Sequence, residues 1–493
     1  MKSKIVKRVL AASLVTAMAV SMVGCGGEEP ATTPSTPTES KTDTPADPAT
    51  PADPAEPSEP VEDVSPYPII TDDAGNPVDL GGIEVIIRDW WSTGELSRNN
   101  AYEEARADYI EWAQETYNFT IKELAISDWG STPADFAAYA PVGGDEYYVF
   151  TLRSGSELNA AVEAGYMYDL STLDCLDFSE AKWSSGVHQF YSGANGEIYC
   201  MRGIDAEPRR GMFFNKRILE EAGINPDDLY AWQENGEWTW DKYEEVCAAV
   251  QQDVDNDGVI DVYGMTGQRS EFYSAAVFSN GGSFINKVDG KFVNELESAN
   301  TLEALNWAVE VATKYDLPQP EGSNWDYFLA EFKAGKACFM ADQVYRAGQD
   351  FAEMEDDFGF VCFPMGPQED EYVSIFDDNA YAIPSCYDAE KAWKCAFAYN
   401  VYTEPIPGFE DAATWKASYY GNFRDTEAVD NTLVKLVEGG IVTYHSLVSG
   451  IDLGPDILWG LGFADAEGVV ETPAQAAERL RNAWGAFIDE ANK

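Results

Sequence analysis

Ile83-Glu84-Val85-Ile86-Ile87, with Arg88-Asp89-Trp90-Trp91 directly behind it, is the stretch on which the fold turns. The apolar run has strand length and reads as a buried strand. Ala101 to Tyr117 follows with Tyr102, Ala105, Tyr109, Trp112 and Ala113 on one helical face, and Phe119 to Ile126 returns as a strand. The pattern repeats, with Tyr147 to Leu152 as strand and Glu157 to Gly165 as helix. Alternation of this kind predicts an α/β fold in which mainly parallel sheets are flanked by helices. Ligands of such sheets sit at the loops beyond the carboxyl ends of the strands, where Asp89, Trp90, Trp91 and Arg153 stand. A second set of elements follows Arg210. Thr301 to Tyr315 places Leu302, Leu305, Val309 and Ala312 in helical register, and Pro473 to Ala491 closes the chain as a Thr-capped helix. Two lobes are expected, 65–210 with about 370–410 returning to it, and 211–369 with about 411–493.

Upstream of the body the chain changes character. Lys2, Lys4, Lys7 and Arg8 precede the apolar run Val9 to Val23, and Met22-Val23-Gly24-Cys25 ends it with small residues before a cysteine. This reads as a lipoprotein signal peptide over residues 1–24, with Cys25 lipidated as the mature N-terminus. The run falls short of the roughly 20 residues that a helix needs to span a bilayer. From Gly26 to Val64 the composition is Pro, Thr, Ala, Ser, Asp and Glu, a tether that cannot bury enough apolar surface to order itself. The expected location is the outer face of a bacterial cytoplasmic membrane.

The 493 residues carry 86 acidic and 32 basic side chains, a formal net charge of −54. Five basic and ten acidic residues precede Ser65, so the body keeps −49. A surface this acidic repels phosphate backbones and anionic headgroups, which argues against nucleic acid and against membrane contact other than through the lipid. Seven cysteines remain after Cys25, an odd number with no C-x-x-C spacing, and they read as mostly buried free thiols. Two histidines leave little material for a zinc site or a His-dependent triad.

A series of short motifs then carries a resemblance. Gly196-Glu197-Ile198-Tyr199, Phe213-Phe214-Asn215-Lys216-Arg217-Ile218-Leu219, Glu221-Ala222-Gly223-Ile224 and Trp238-Thr239-Trp240-Asp241 occur in that order. Asn280-Gly281-Gly282-Ser283-Phe284, Phe332-Lys333-Ala334-Gly335-Lys336-Ala337, Phe363-Pro364-Met365-Gly366-Pro367 and Ala382-Ile383-Pro384 complete the series, with Glu390-Lys391-Ala392-Trp393 after them. Together these resemble the family 1 extracellular solute-binding proteins. The resemblance implies a periplasmic-binding-protein-like fold of two lobes with a ligand cleft between them. It further implies a carbohydrate ligand and a partner in the permease subunits of an ATP-binding cassette importer, the chain itself acting as a monomer. It places Arg153 among the hydroxyl-binding groups, Glu271, Tyr273, Asn280 and Gly281 among second-lobe contacts, Tyr345 as a following aromatic, and Asp378 and Asn379 on a ligand-facing loop. Trp415 and Tyr420 are candidates for a late aromatic plate, with a core role the alternative.

Asp253-x-Asp255-x-Asp257-Gly258-x-x-Asp261 has carboxylates at positions 1, 3, 5 and 9 of a calcium loop and Gly at position 6, but Gly264 at position 12 in place of Glu. A structural Ca2+ is the one cofactor the sequence suggests, a plain turn being the alternative, and no cofactor is required. Competing readings are a surface-tethered glycoside hydrolase with two working carboxylates, a binding protein for a non-sugar solute, and a calcium-dependent adhesion module. No motif nominates a catalytic pair.

Overall fold

Alternating apolar residues make β1 (Ile83–Asp89) the centre of the first sheet: Val85, Ile87 and Asp89 point inward and are buried. The computed structural model describes residues 67–153, 156–183, 187–188, 191–193, 195–203, 209–376, 379–409, 414–464 and 468–493. The leader, Cys25, the tether and Asp378 lie outside them. Ser65–Lys493 forms one unit distinct from Met1–Val64.

β1 pairs in parallel with β2 (Phe119–Ala125) on one side and with β3 (Tyr147–Leu152) on the other. A fourth strand, β11 (Ala380–Ala382), joins β3 antiparallel, giving the order β11-β3-β1-β2. The helix Ala101–Tyr117 between β1 and β2 starts at Asn100, whose side chain accepts the Glu103 N–H at 3.0 Å, and stops at Asn118 in the left-handed region with φ 52°. Its buried face holds Ala107, Tyr109, Ile110, Ala113 and Tyr117, whereas Tyr102, Ala105 and Trp112 are half-buried. The face is rotated from the expected one because Tyr117 must reach Phe397 of the Ala389–Tyr402 helix, 5.3 Å between ring centroids.

The second sheet has the order β5-β8-β4-β9, from Tyr263–Thr266, Ala337–Gln343, Arg210–Asn215 and Phe358–Val361. Only β5 and β8 are parallel; β4 runs against both β8 and β9. This sheet is mixed where alternation alone predicted parallel strands, because β4 enters from the opposite direction. Gly211 is required where β4 passes β9: a Cβ there would lie 2.6 Å from the Phe360 ring. Around this sheet Trp238 and Trp484 are fully buried, and Trp240 stacks on Trp307 at 4.0 Å and 3°. The remaining strands are a hairpin of β6 (Ile285–Val288) and β7 (Lys291–Asn294), and a parallel pair of β10 (Ser374–Phe376) with β12 (Gly440–Val442).

Described cysteines are all free, five of them buried, Cys175 half-buried and Cys386 exposed. Among the described residues no helix is long and apolar enough to cross a membrane.

Candidate functional site

Register defines an edge on each sheet. In the first, Asp89 lies beside Ala125, Arg88 beside Phe150 and Leu152 beside Ala380, so the ends of β1, β2 and β3 and the start of β11 share one edge. In the second, Arg210 lies beside Gln343 and Thr266 beside Met340, so the start of β4 and the ends of β5 and β8 share another. The chain leaves the first sheet after Met201 and enters the second at Arg210, and it returns to the first sheet at Ala380 from β10, which pairs with β12. Four residues span at most about 14 Å, so the end of β10 lies within that reach of the start of β11. Met201 pairs with Tyr381, the Arg202 guanidinium donates to the Asn379 carbonyl at 3.1 Å, and the Ser374 hydroxyl donates to the Arg210 carbonyl at 3.2 Å.

On the first edge Asp89 is buried and does structural service. One carboxylate oxygen accepts the N–H groups of Trp91 and Ser92 at 3.2 and 3.0 Å, and the other accepts the Ser92 hydroxyl. That turn sets Trp90 and Trp91 edge to face, 4.9 Å between centroids, with Trp91 46% exposed. Beyond β2, Asp128 accepts the Ser131 N–H at 2.8 Å and its carbonyl accepts the Thr132 hydroxyl at 2.8 Å. The bonds from the Ser131 backbone and hydroxyl hold the Asp128 carboxyl below its usual range, and with the Thr132 bond they fix the turn that carries Trp129. Trp129 is 59% exposed, and the Arg153 guanidinium lies over its ring at 3.8 Å. Beside this edge a pocket of about 230 Å³ is lined by Trp91 to Leu96, Glu123 and Tyr402. Burial raises the Glu123 carboxyl, and Arg106 opposes the shift.

The second edge is charged. Arg210 pairs with Glu271, Arg346 with Asp342 at 3.3 Å, and Arg269 with Asp316 at 2.7 Å. Burial pushes Asp316 up to about 6 against the pull of Arg269, and raises Asp342 likewise. Arg346 also lies over the Tyr345 ring at 4.8 Å, and Arg269 over Phe463 at 4.4 Å, with Phe463 51% exposed.

The structure thus brings Trp90, Trp91, Arg153 and Asn379 to the first edge, and Glu271 and Tyr345 to the second. Two second-lobe candidates sit inside the lobe instead. Tyr273 is fully buried and donates to the Leu461 carbonyl at 3.3 Å. Asn280 is buried too, donating to the Asn300 carbonyl and to Glu303, both at 3.0 Å, while Gly281 at φ 65° turns the chain. Their helix, Arg269–Ser279, is buried on nearly every side, so only its first turn reaches the edge. Trp415 packs on the cluster around Phe213 and Phe332, edge to face with Tyr419, and Tyr420 donates to Asp430 at 2.7 Å. Trp129, Arg269, Asp316 and Phe463 were not nominated from sequence. The strand-end rule that picked Trp90 and Trp91 also picks Trp129.

At the Asp loop, carboxylate oxygens of Asp253, Asp255 and Asp261 lie within 4.8 Å of one another. Each also accepts a backbone N–H, from Gly258, Asp257 and Val254 respectively, and Asp257 turns away to accept Val259 N–H at 2.8 Å. Three of the four expected ligands converge.

The family model described as bacterial extracellular solute-binding protein matches residues 108–428. No curated protein matches the chain. Among solved structures, the GacH receptor of Streptomyces glaucescens, determined unliganded and with acarbose, is 15% identical at a TM-score of 0.53, covering 83% of this chain and 99% of its own. The cyclic α-maltosyl-1,6-maltose binding protein of Arthrobacter globiformis is 15% identical at 0.56, covering 83% and 100%. UgpB of Mycobacterium tuberculosis, complexed with glycerophosphocholine, is 16% identical at 0.56, covering 78% and 95%. At these identities the likeness is one of fold.

Proposed function

This chain belongs to the bacterial extracellular solute-binding proteins, and from that premise we propose that it captures a neutral sugar or oligosaccharide in the cleft and passes it, chemically unchanged, to an ATP-binding cassette importer. The pairing of the two edges carries the reading. A sugar ring has an apolar C–H face and a rim of hydroxyls, so it calls for an aromatic plate on one side and fixed donors and acceptors on the other. Trp91 and Trp129 supply plates; Arg210 with Glu271 and Arg346 with Asp342 supply the polar groups. Acarbose and a cyclic maltosyl-maltose, the ligands of two relatives, are of this chemistry. Glu271, Asp316 and Asp342 are each held by a guanidinium. That arrangement suits orientation of hydroxyls better than proton transfer at a glycosidic bond.

Calorimetry over a panel of neutral oligosaccharides, with product analysis after long incubation, tests the proposal. Binding without cleavage is expected; cleaved glycan that disappears on carboxylate mutation, or binding of peptides alone, overturns it. The Cys25 anchor belongs to the same proposal, and Cys25→Ala is expected to shift the protein out of the membrane fraction. Calcium at Asp253, Asp255 and Asp261 is a structural proposal. Chelation should lower the melting temperature of wild type but not of Asp255→Ala, and an equal response would leave the loop a plain turn.

A further inference from the structure

Leu447 and Val448 are neighbours in sequence but pack in different lobes. Val448 is fully buried in the core that holds Met265, Phe339 and Ile451 of the second lobe, whereas Leu447 packs against the core that holds Phe136, Phe150 and Leu158 of the first. Hydrogen bonds extend the grip on the first lobe. On the helix Ser156–Glu163, which follows β3, the Asn159 amide donates to the Leu447 carbonyl at 3.0 Å and to the Ser449 hydroxyl at 3.4 Å, and the Ser449 hydroxyl donates to the Glu163 carboxylate at 3.2 Å. Asn159 and Glu163, one turn apart, are joined to each other at 3.3 Å. The far end of the segment is fixed in the second lobe. Ile451 is buried there, and Gly450 at φ 91° lets the chain pass over Phe487 of the C-terminal helix, where a Cβ would lie 2.7 Å from the ring.

This contact is not a chain crossing. The chain leaves the first sheet after Met201, returns to it at Ala380 and ends the last helix of that lobe at Tyr402, and Leu447 lies well beyond all three. A covalent crossing holds in any arrangement of the lobes, but one apolar side chain and a few bonds to an exposed helix face are weak enough to open and re-form. The place of the contact gives it a use. Its helix begins just past the carboxyl end of β3, the end at which ligands of such sheets sit, and Asn159 is about 4.5 Å along it. From this arrangement we infer that residues 445–449 are a closing strap: when the lobes shut on a ligand, Leu447 and Ser449 dock on Asn159 and Glu163 and hold the closed form. The inference goes beyond the sugar reading, because the strap serves any ligand taken between the lobes. Ligand affinity carries the equilibrium between open and closed forms as a factor. A neutral hydrogen bond is worth about fivefold in such an equilibrium. The strap acts after the ligand has entered, so it governs release and leaves entry alone.

Stopped-flow tryptophan emission with maltotriose and mannotriose, on wild type, Asn159→Asp and Leu447→Ala, tests the inference, with thermal melting confirming that each variant is folded. Asn159→Asp keeps the shape of the side chain and removes the donor, so a carboxylate meets the Leu447 carbonyl and Glu163. Each variant should release sugar on the order of tenfold faster than wild type, with association within about twofold. Unchanged release, or an effect confined to association, overturns the strap and leaves sugar capture standing. Failure of every neutral sugar in wild type counts against the sugar reading instead, and the strap is then decided without ligand. Asn159→Cys with Ser449→Cys, in a Cys386→Ser background that removes the exposed thiol, is treated with a short bismaleimide and measured by X-ray scattering. The cross-link should form, and the cross-linked protein should have a smaller radius of gyration than the untreated one. Two thiols that react singly without joining, or equal radii before and after joining, contradict the strap whatever the ligand.

Discussion

The edge formed by β1, β2 and β3 presents rings, Trp91 and Trp129 foremost, whereas the edge formed by β4, β5 and β8 presents ion pairs, Arg210 with Glu271, Arg346 with Asp342 and Arg269 with Asp316. The materials do different work. Ring faces attract apolar surface without much regard to its orientation, so they supply affinity and tolerate related ligands. Paired guanidinium and carboxylate groups are fixed in direction, and their desolvation is repaid only when every donor is matched, so they select hydroxyl patterns and stiffen the lobe that carries them. On the proposed reading, one edge would govern how tightly a ligand is held, and the other which ligand is held and how stable its own lobe is.

That contrast breaks most easily at Asp316. Asp316→Ala leaves Arg269 partly buried without its carboxylate, a loss of about 3–5 kcal/mol for pairs of this kind, visible as a lower denaturation midpoint. Trp91→Ala on the opposite edge should leave that midpoint nearly unchanged, since Trp91 is half in solvent. Equal losses in the two variants would erase the distinction. Replacing Trp90 and Trp91 together by Ala should instead act on ligand, on the order of a hundredfold in affinity or about 2.7 kcal/mol, measured by calorimetry on the sugar that the panel identifies.

A smaller effect separates the edges by pH. Asp316 titrates near 6 in the folded protein, above its unfolded value, so the folded state holds an extra proton between the two pKa values. Stability from this group is therefore greatest in acid and falls as pH rises through 4 to 6. The difference in unfolding free energy between wild type and Asp316→Asn should shrink by on the order of 2 kcal/mol over that window. A difference that grows with pH would mean that Arg269 dominates and Asp316 titrates low.

The elements that carry the first edge were legible because they obey local rules. β1, the Ala101–Tyr117 helix and β2 follow hydrophobic period and capping, and Asn100 and Asn118 mark the helix ends in the sequence itself. Trp90 and Trp91 were legible for the same reason, as residues after a strand. Trp129, four residues beyond the end of β2, is equally legible by that rule. The second edge was not, because its chemistry joins residues far apart in sequence: Arg210 meets Glu271 some 60 residues on, and Arg269 meets Phe463 almost 200 residues on. Tyr273 and Asn280 show the converse. They stand beside a Gly-Gly loop that resembles a family contact, yet a helix packed on nearly all sides turns them inward, and no single-chain pattern shows how much of a helix its neighbours cover. The antiparallel run of β4 was likewise hidden, since strand direction depends on where the chain re-enters the sheet.

Hydrogen exchange of the whole mature protein, with and without a saturating neutral oligosaccharide, tests most directly whether ligand sits between the two edges. Protection should rise together at residues 88–92, 127–131 and 150–153 on the first edge and at 266–271, 342–346 and 461–463 on the second, with the Asp253–Asp261 loop unaffected. Protection confined to one edge, or centred on the 91–96 pocket alone, would contradict capture between the lobes.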